Sequence, residues 1–219
     1  MIITESYTFP TQITLSYGGG YNANGHPYVD LGLPSRTLWA TMNVGATSES
    51  EKGDFFMWGS TTPNTDTPCD WEHTPFNGGY AEYNADAFDL VKDTVCPNGV
   101  LAKKYDAAAQ IMGGDWRMPT EAEVQELIDN TTKEWTQVNS AYGYKFTSNT
   151  DESKYIFIPA SVYRVGSSFT NSGYGAIWSS SLNTSDPSAA WRLNFDYYGG
   201  VEATNHFSRY YGFNVRGVL

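Results

Sequence analysis

The sequence lacks any cluster of positive charge. Its 13 lysines and arginines stand against 24 aspartates and glutamates, for a net charge of −11, and nowhere do the basic residues gather. A phosphate backbone is bound through a basic patch that displaces counterions, so nucleic acid is excluded as a partner. Charge of either sign is scarce at 17%, below the usual quarter. No apolar run approaches the roughly 18 residues of a membrane-spanning helix, so no membrane insertion is expected. The opening stretch MIITESYTFPTQITLSYGGG has neither a basic n-region nor an apolar h-region, and no signal peptide is read in it. Cysteine is limited to Cys69 and Cys96. No third thiol or nearby histidine completes a zinc set, and the two read either as one disulfide or as unpaired structural residues. His26, His73 and His206 sit in unrelated segments, and none has an identifiable orienter for a catalytic base. His73, beside Asp70 and Glu72, is the one local cluster. The expectation is therefore no catalytic residue, no metal site and no cofactor.

What the chain has instead is aromatic: 7 Trp, 16 Tyr and 11 Phe, or 16% of 219 residues. Much of the burial must come from rings whose polar tips need partners. The length fits one large domain or one domain plus a short appendage. Residues 1–25 read as an extended arm ending in Gly18 to Gly20, a tether or a strand through which homo-oligomers could form. Residues 26–219 form the main domain. In it, Val29, Leu31 and Leu33 alternate on one side of a first strand, and Leu38, Ala40, Met42 and Val44 on one side of a second. Residues 60–101 lack periodicity and read as a long surface insertion.

Two helices stand out. Tyr105–Met112 is Ala-rich and is stopped by Gly113 and Gly114. The second starts after Thr120, with Glu123 completing a capping box and Val124, Leu127 and Ile128 on one stripe. Strands near Gly143–Thr147 and Tyr155–Pro159 follow. Strands, then helices, then many short strands imply an α+β domain with a mainly antiparallel sheet.

The last segment, Tyr174 to Leu219, carries the functional signal. In WRLNFD, the period of two puts Trp191, Leu193 and Phe195 on a core side and Arg192, Asn194 and Asp196 on a side free to touch a ligand. In GFNVRGV, Phe213, Val215 and Gly217 alternate in the same way with Asn214, Arg216 and Val218. Between the two lies DYYGGVEATNHFSRYY, rich in the Tyr, Asn, Ser and Gly that suit binding surfaces, where rigid contact area combines with adaptable hydrogen bonding.

The segments YVDLGLPSRTLWATMNVGA, DFFMWGS, GGDWRMPTEAEVQELI, IFIPASVYR, IWSSS, AWRLNF and RYYGFNVRGV together resemble the Fibrobacter succinogenes major paralogous domain family, over about residues 28–219. The resemblance implies a C-type lectin-like fold of short antiparallel strands, two helices and a long loop insertion. That family includes the variable proteins of diversity-generating retroelements in gut bacteria and their phages, whose C-terminal surface is rewritten by adenine-directed mutagenesis. Trp178 to Ser181, Trp191, Leu193, Phe195, Arg209, Gly212, Phe213, Val215 and Arg216 match its constant frame. The positions left free are then the ligand contacts. They are Ala176, Ile177, Leu182, Asn183, Ala190, Arg192, Asn194, Asp196, Tyr197 and Tyr198, followed by Asn205, His206, Phe207, Ser208, Tyr210 and Tyr211. Mutating the adenines of an Asn codon can produce every residue type in this set but not Glu, Lys, Gln, Met or Trp. Glu202 fails that test and is left out.

The expected function is non-enzymatic recognition of a bacterial surface protein or glycan, by a phage tail adhesin or a retroelement variable protein. The absence of a signal peptide suits a phage virion, and the alternative location is the bacterial cell surface. A second reading is a structural or adhesive subunit of a bacterial surface assembly that docks through the arm. A third is an oxidoreductase, because formylglycine-generating enzymes share the fold and a similar WR-x-PT-E-A-E segment. Their chemistry needs cysteines in the C-terminal core, whereas here both precede the helices. The EPN, QPD and WND triplets of calcium-dependent sugar binding do not occur, so metal-assisted binding is not expected.

Overall fold

The computed structural model describes residues 19–21, 24–75, 95–170, 173–186 and 188–219, with side chains left out at 19–21, 205 and 206. Most of the expected arm and the middle of the expected insertion, residues 76–94, lie outside this set. The strands are β1 (Gly19–Tyr21), β2 (Pro27–Asp30), β3 (Leu38–Asn43), β4 (Thr131–Val138), β5 (Ala141–Ser148), β6 (Tyr155–Pro159), β7 (Tyr163–Val165), β8 (Ser168–Thr170), β9 (Tyr174–Leu182), β10 (Ala189–Asp196), β11 (Val201–Ser208) and β12 (Arg216–Val218). The helices α1 (Ala107–Met112) and α2 (Glu121–Asp129) fall between β3 and β4.

Local chemistry sets the helix boundaries. Thr120 caps α2 and forms the expected capping box with Glu123, while Val124, Leu127 and Ile128 are buried on one stripe. α1 starts two residues later than the sequence suggests, because Asp106 acts as its N-cap. The Asp106 carboxylate accepts from the amides of Ala109 at 2.9 Å and Met118 at 2.8 Å. Burial raises its pKa against those bonds. Gly113, at φ 71°, ends the helix as expected.

Glu123 also ties α2 to the preceding loop. Burial alone would raise its pKa, but the two-pronged bond from Arg117 and the bonds from Thr120 outweigh that and hold it at about 2. A carboxylate depressed in the folded state stabilises it above the unfolded value near 4.5, and that contribution is lost as pH falls through about 2. Glu123→Gln should therefore cost about 2 kcal/mol at pH 7, discounted for the half-exposed Arg117. The difference from wild type should shrink steadily below pH 4.5, as read by urea melts at stepped pH.

All strand pairs are antiparallel within sheets ordered β1-β2-β3-β12, β11-β10-β9, β4-β5-β6 and β7-β8. The chain end returns beside β3, where Leu38 and Leu219 exchange backbone hydrogen bonds of 3.1 and 3.0 Å. This is an α+β architecture. Two cores lie on opposite sides of the central strands. One holds Ala40, Trp58, Met112, Trp116, Trp178 and Phe213, and the other holds Val29, Trp39, Leu127, Phe146, Ile177 and Phe195.

That double cover corrects the one-sided reading of several strands. Asn214, Arg216 and Val218 are as buried as Phe213 and Val215, because the strand runs between the two cores. In β3, Trp39 enters one core while Ala40, and Val44 just after the strand, enter the other, and Leu38 and Met42 are half-buried. The described flanks of the insertion are mostly exposed or half-buried, but they send Cys69, Val95, Cys96 and Leu101 into the interior. Both thiols are free. Burial pushes Cys69 up to about 11 and Cys96 to about 12, which makes them inert structural thiols.

Candidate ligand-binding site

The β10–β11 turn is built by Asp196, whose carboxylate accepts from the amides of Tyr198 at 2.8 Å and Gly200 at 3.2 Å. Gly199 supplies the positive φ of 101° that this turn requires. The result pushes Tyr197 and Tyr198 into solvent, 63% and 88% exposed. Beside them stands the β4–β5 hairpin. Trp135 stacks on the exposed Tyr142 with centroids 6.3 Å apart and meets Tyr197 edge-on at 5.8 Å. Tyr197 meets Tyr198 edge-on at 5.5 Å. A groove of ≈ 710 Å³ runs between Tyr142 and Tyr197, with Lys52 on its wall. A hollow of ≈ 210 Å³ continues it from Tyr197 and Tyr198 to Tyr174.

Tyr174 also borders a deeper pocket of ≈ 360 Å³ over one face of β9, β10 and β11. Arg192 lies in its wall, 4% exposed, with its guanidinium 3.8 Å from the ring of Phe207 and 4.8 Å from that of Phe213. Burial lowers Arg192 to about 10 in spite of Glu202, Tyr163 and Tyr211 nearby, so it is charged at neutral pH. Its Nε is buried without a partner among the described residues, and it takes part in none of their ion pairs. Thr204, opposite Arg192 in the strand register, lines the same pocket with its hydroxyl buried and also unpartnered. Leaving a buried cation unpaired costs several kcal/mol, of which two ring faces return about 2 kcal/mol. Arg164, likewise buried with orphan nitrogens, faces Phe169 at 5.7 Å and lines none of these hollows.

The residues expected to contact a ligand separate into groups. Tyr197 and Tyr198 are on the open surface, and Arg192, Asn194, Phe207 and Ala176 line the pocket. Arg192 does lie on the face of β10 opposite Leu193 and Phe195, but Phe207 and Phe213 cover it. Ile177, Leu182 and Ala190 are buried in the cores and present no surface, which corrects their expected exposure. Asn183 is buried and shapes a turn, accepting from the amides of Ser185 and Asp186. Ser208 is half-buried, paired with Ala189 across the sheet. Tyr210 and Tyr211 stack on each other at 4.5 Å, Tyr210 meets Trp71 edge-on, and Tyr211 packs on Phe213. The side chains of Asn205 and His206 lie outside the described residues. Trp191, expected in the core beside Leu193 and Phe195, is half-buried where pairing to both neighbours shifts register. Trp135, Tyr142, Tyr163, Tyr174 and Thr204 were not expected at the site. Tyr174 and Thr204 belong to the C-terminal segment read as a binding surface without being named as contacts, whereas Trp135, Tyr142 and Tyr163 lie before it and carry no sequence signal beyond being aromatic.

Among the described residues no group of three or more His, Cys, Asp or Glu could hold a metal ion. None of their helices is long and apolar enough to cross a membrane. Comparison with family models, curated proteins and solved structures finds no match to this chain.

Proposed function

We propose that this chain is a non-enzymatic ligand-binding protein of C-type lectin-like fold with a diversified C-terminal surface. Its role is that of a phage tail adhesin or a retroelement variable protein recognising a bacterial surface protein or glycan. The observation that carries this reading is the contiguous aromatic surface from Tyr142 through Trp135, Tyr197 and Tyr198 to Tyr174, four of whose five rings are strongly exposed. Solvent-exposed large rings gathered on one surface mark an interaction site, whereas scattered ones do not. Tyrosine gives broad contact at low entropy cost, and a stiff two-core frame behind it keeps the ordering penalty of association small. The α+β antiparallel architecture, closed by its own C-terminus against β3, supports the fold assignment.

The test is the binding of the labelled protein to a panel of intact gut bacteria. Wild type should bind a subset of strains. Tyr197→Ser combined with Tyr198→Ser should reduce that binding at least tenfold and leave Tm within a degree or two, since the two rings are largely solvent-exposed. Undiminished binding by the double variant, or no binding by wild type to any strain, overturns the reading.

A further inference from the structure

We propose that the pocket over β9, β10 and β11 binds a singly charged carboxylate carried on one sugar ring, the chemistry of a uronic acid, with Arg192 as its anion-binding group. This deepens the ligand-binding reading and rests on it. The two ring faces against Arg192 hold the plane of its guanidinium but accept none of its in-plane N–H groups. Those edges are what a carboxylate takes up, two oxygens to two donors. Thr204, on the neighbouring strand and lining the same pocket, adds a hydroxyl that also lacks a partner among the described residues. Two side chains that line one cavity, each with a polar atom that has no partner among the described residues, are the arrangement expected when the missing acceptor belongs to a ligand.

Charge and size narrow the ligand. The pocket offers one cation, and Glu202 stands at its rim, where Asn194 reaches it at 3.5 Å. A dianionic phosphate would meet a single positive charge and a facing carboxylate, so a monoanion fits better. The volume of ≈ 360 Å³ suits one ring rather than a chain. Tyr163, Tyr174 and Phe207 give apolar faces for C–H surface, while Asn194 and Glu202 can meet hydroxyls. A sugar acid uses both kinds of wall. A purely aromatic or aliphatic acid would leave the polar rim unused.

The experiment titrates the full chain by NMR with methyl glucuronide, its neutral counterpart methyl glucoside, benzoate and inorganic phosphate. Methyl glucuronide should bind at least tenfold more tightly than each of the other three. Arg192→Met should abolish that binding with Tm unchanged or raised, because no acceptor among the described residues is left behind. Arg192→Lys, which keeps the charge but not the fork, should weaken it at least tenfold, and Thr204→Val several-fold. Equal binding of the glucoside, tighter binding of benzoate or phosphate, or binding of none of the four overturns the proposal. So does unaltered glucuronide affinity in Arg192→Lys and Thr204→Val, which also covers the case in which Arg192→Met fails to fold. Failure here with Tyr197- and Tyr198-dependent binding to cells intact removes the carboxylate pocket alone. Loss of both removes the ligand-binding reading itself.

Discussion

Arg216→Met should lower the free energy of unfolding by about 3 to 5 kcal/mol. Arg216 is 0% exposed and joins three segments: its Nε donates to Asn43 Oδ1 at 2.8 Å, Nη1 to the carbonyl of Ala40 at 2.9 Å and Nη2 to the carbonyl of Phe157 at 2.9 Å. Burial lowers it to about 9, opposed by Glu49, so it is charged at neutral pH. Methionine matches much of the volume but strands three acceptors where water cannot reach, and each orphan costs about 1 to 3 kcal/mol. Asn43 and Ala40 lie on β3 and Phe157 on β6, so the same change loosens the junction of two sheets. Lysine would not rescue it, since one ammonium cannot reach three acceptors arranged around a planar fork. Urea melts followed by circular dichroism measure the loss, and a change below about 1 kcal/mol would show that water replaces the arginine.

The contrast with Arg192 lies in what each side chain leaves behind. Both are buried arginines of the C-terminal segment, yet one satisfies protein acceptors and the other satisfies none among the described residues. The same substitution should therefore damage stability at position 216 and spare it at position 192. Buried polar groups that break local rules without structural compensation are where function is expected to sit.

What could be read from the sequence followed from how local each signal is. The capping box of Thr120 and Glu123, the stripe of Val124, Leu127 and Ile128, the stop at Gly113 and the strand Tyr155–Pro159 depend on neighbours within a few residues, and they came through with little or no change. β4 was missed because TTKEWTQV is polar, and because its turn places Asn139 and Ser140 at positive φ without the Asn-Gly pair that marks such hairpins. Alternation along β10 separated its two faces from Arg192 onward, since Leu193 and Phe195 enter one core and Arg192 and Asn194 line the pocket, but it failed at Trp191, where the register shifts. It could not show that the second face is also covered, because a period of two reports sides and not what lies against them. The open part of the site was legible at Tyr197 and Tyr198. Its other half, Trp135 and Tyr142, sits some sixty residues earlier on a strand pair whose approach to β10–β11 is set by tertiary packing.

Trp178→Ala should cost about 3 to 5 kcal/mol, as expected when a large buried side chain is truncated and the surroundings close only partly over the gap. The ring is fully buried, packs edge-on to Phe213 at 4.7 Å, and donates its indole N–H to the carbonyl of Phe56 at 2.8 Å. A comparison with Trp39 separates volume from hydrogen bonding. Both rings are 0% exposed, but the Trp39 indole nitrogen has no partner among the described residues. Trp39→Phe removes ring volume and an unsatisfied donor, two changes that oppose each other. Trp178→Phe removes similar volume and strands the Phe56 carbonyl, so it should be the more destabilising by about 1 to 2 kcal/mol. Phe213 also forms part of the pocket beside Arg192, so loss of its support at Trp178 should weaken ligand binding in whatever fraction of Trp178→Phe stays folded. Paired denaturation curves for the two Phe variants measure the difference, and equal losses would mean that the Phe56 carbonyl finds another donor when the indole is gone.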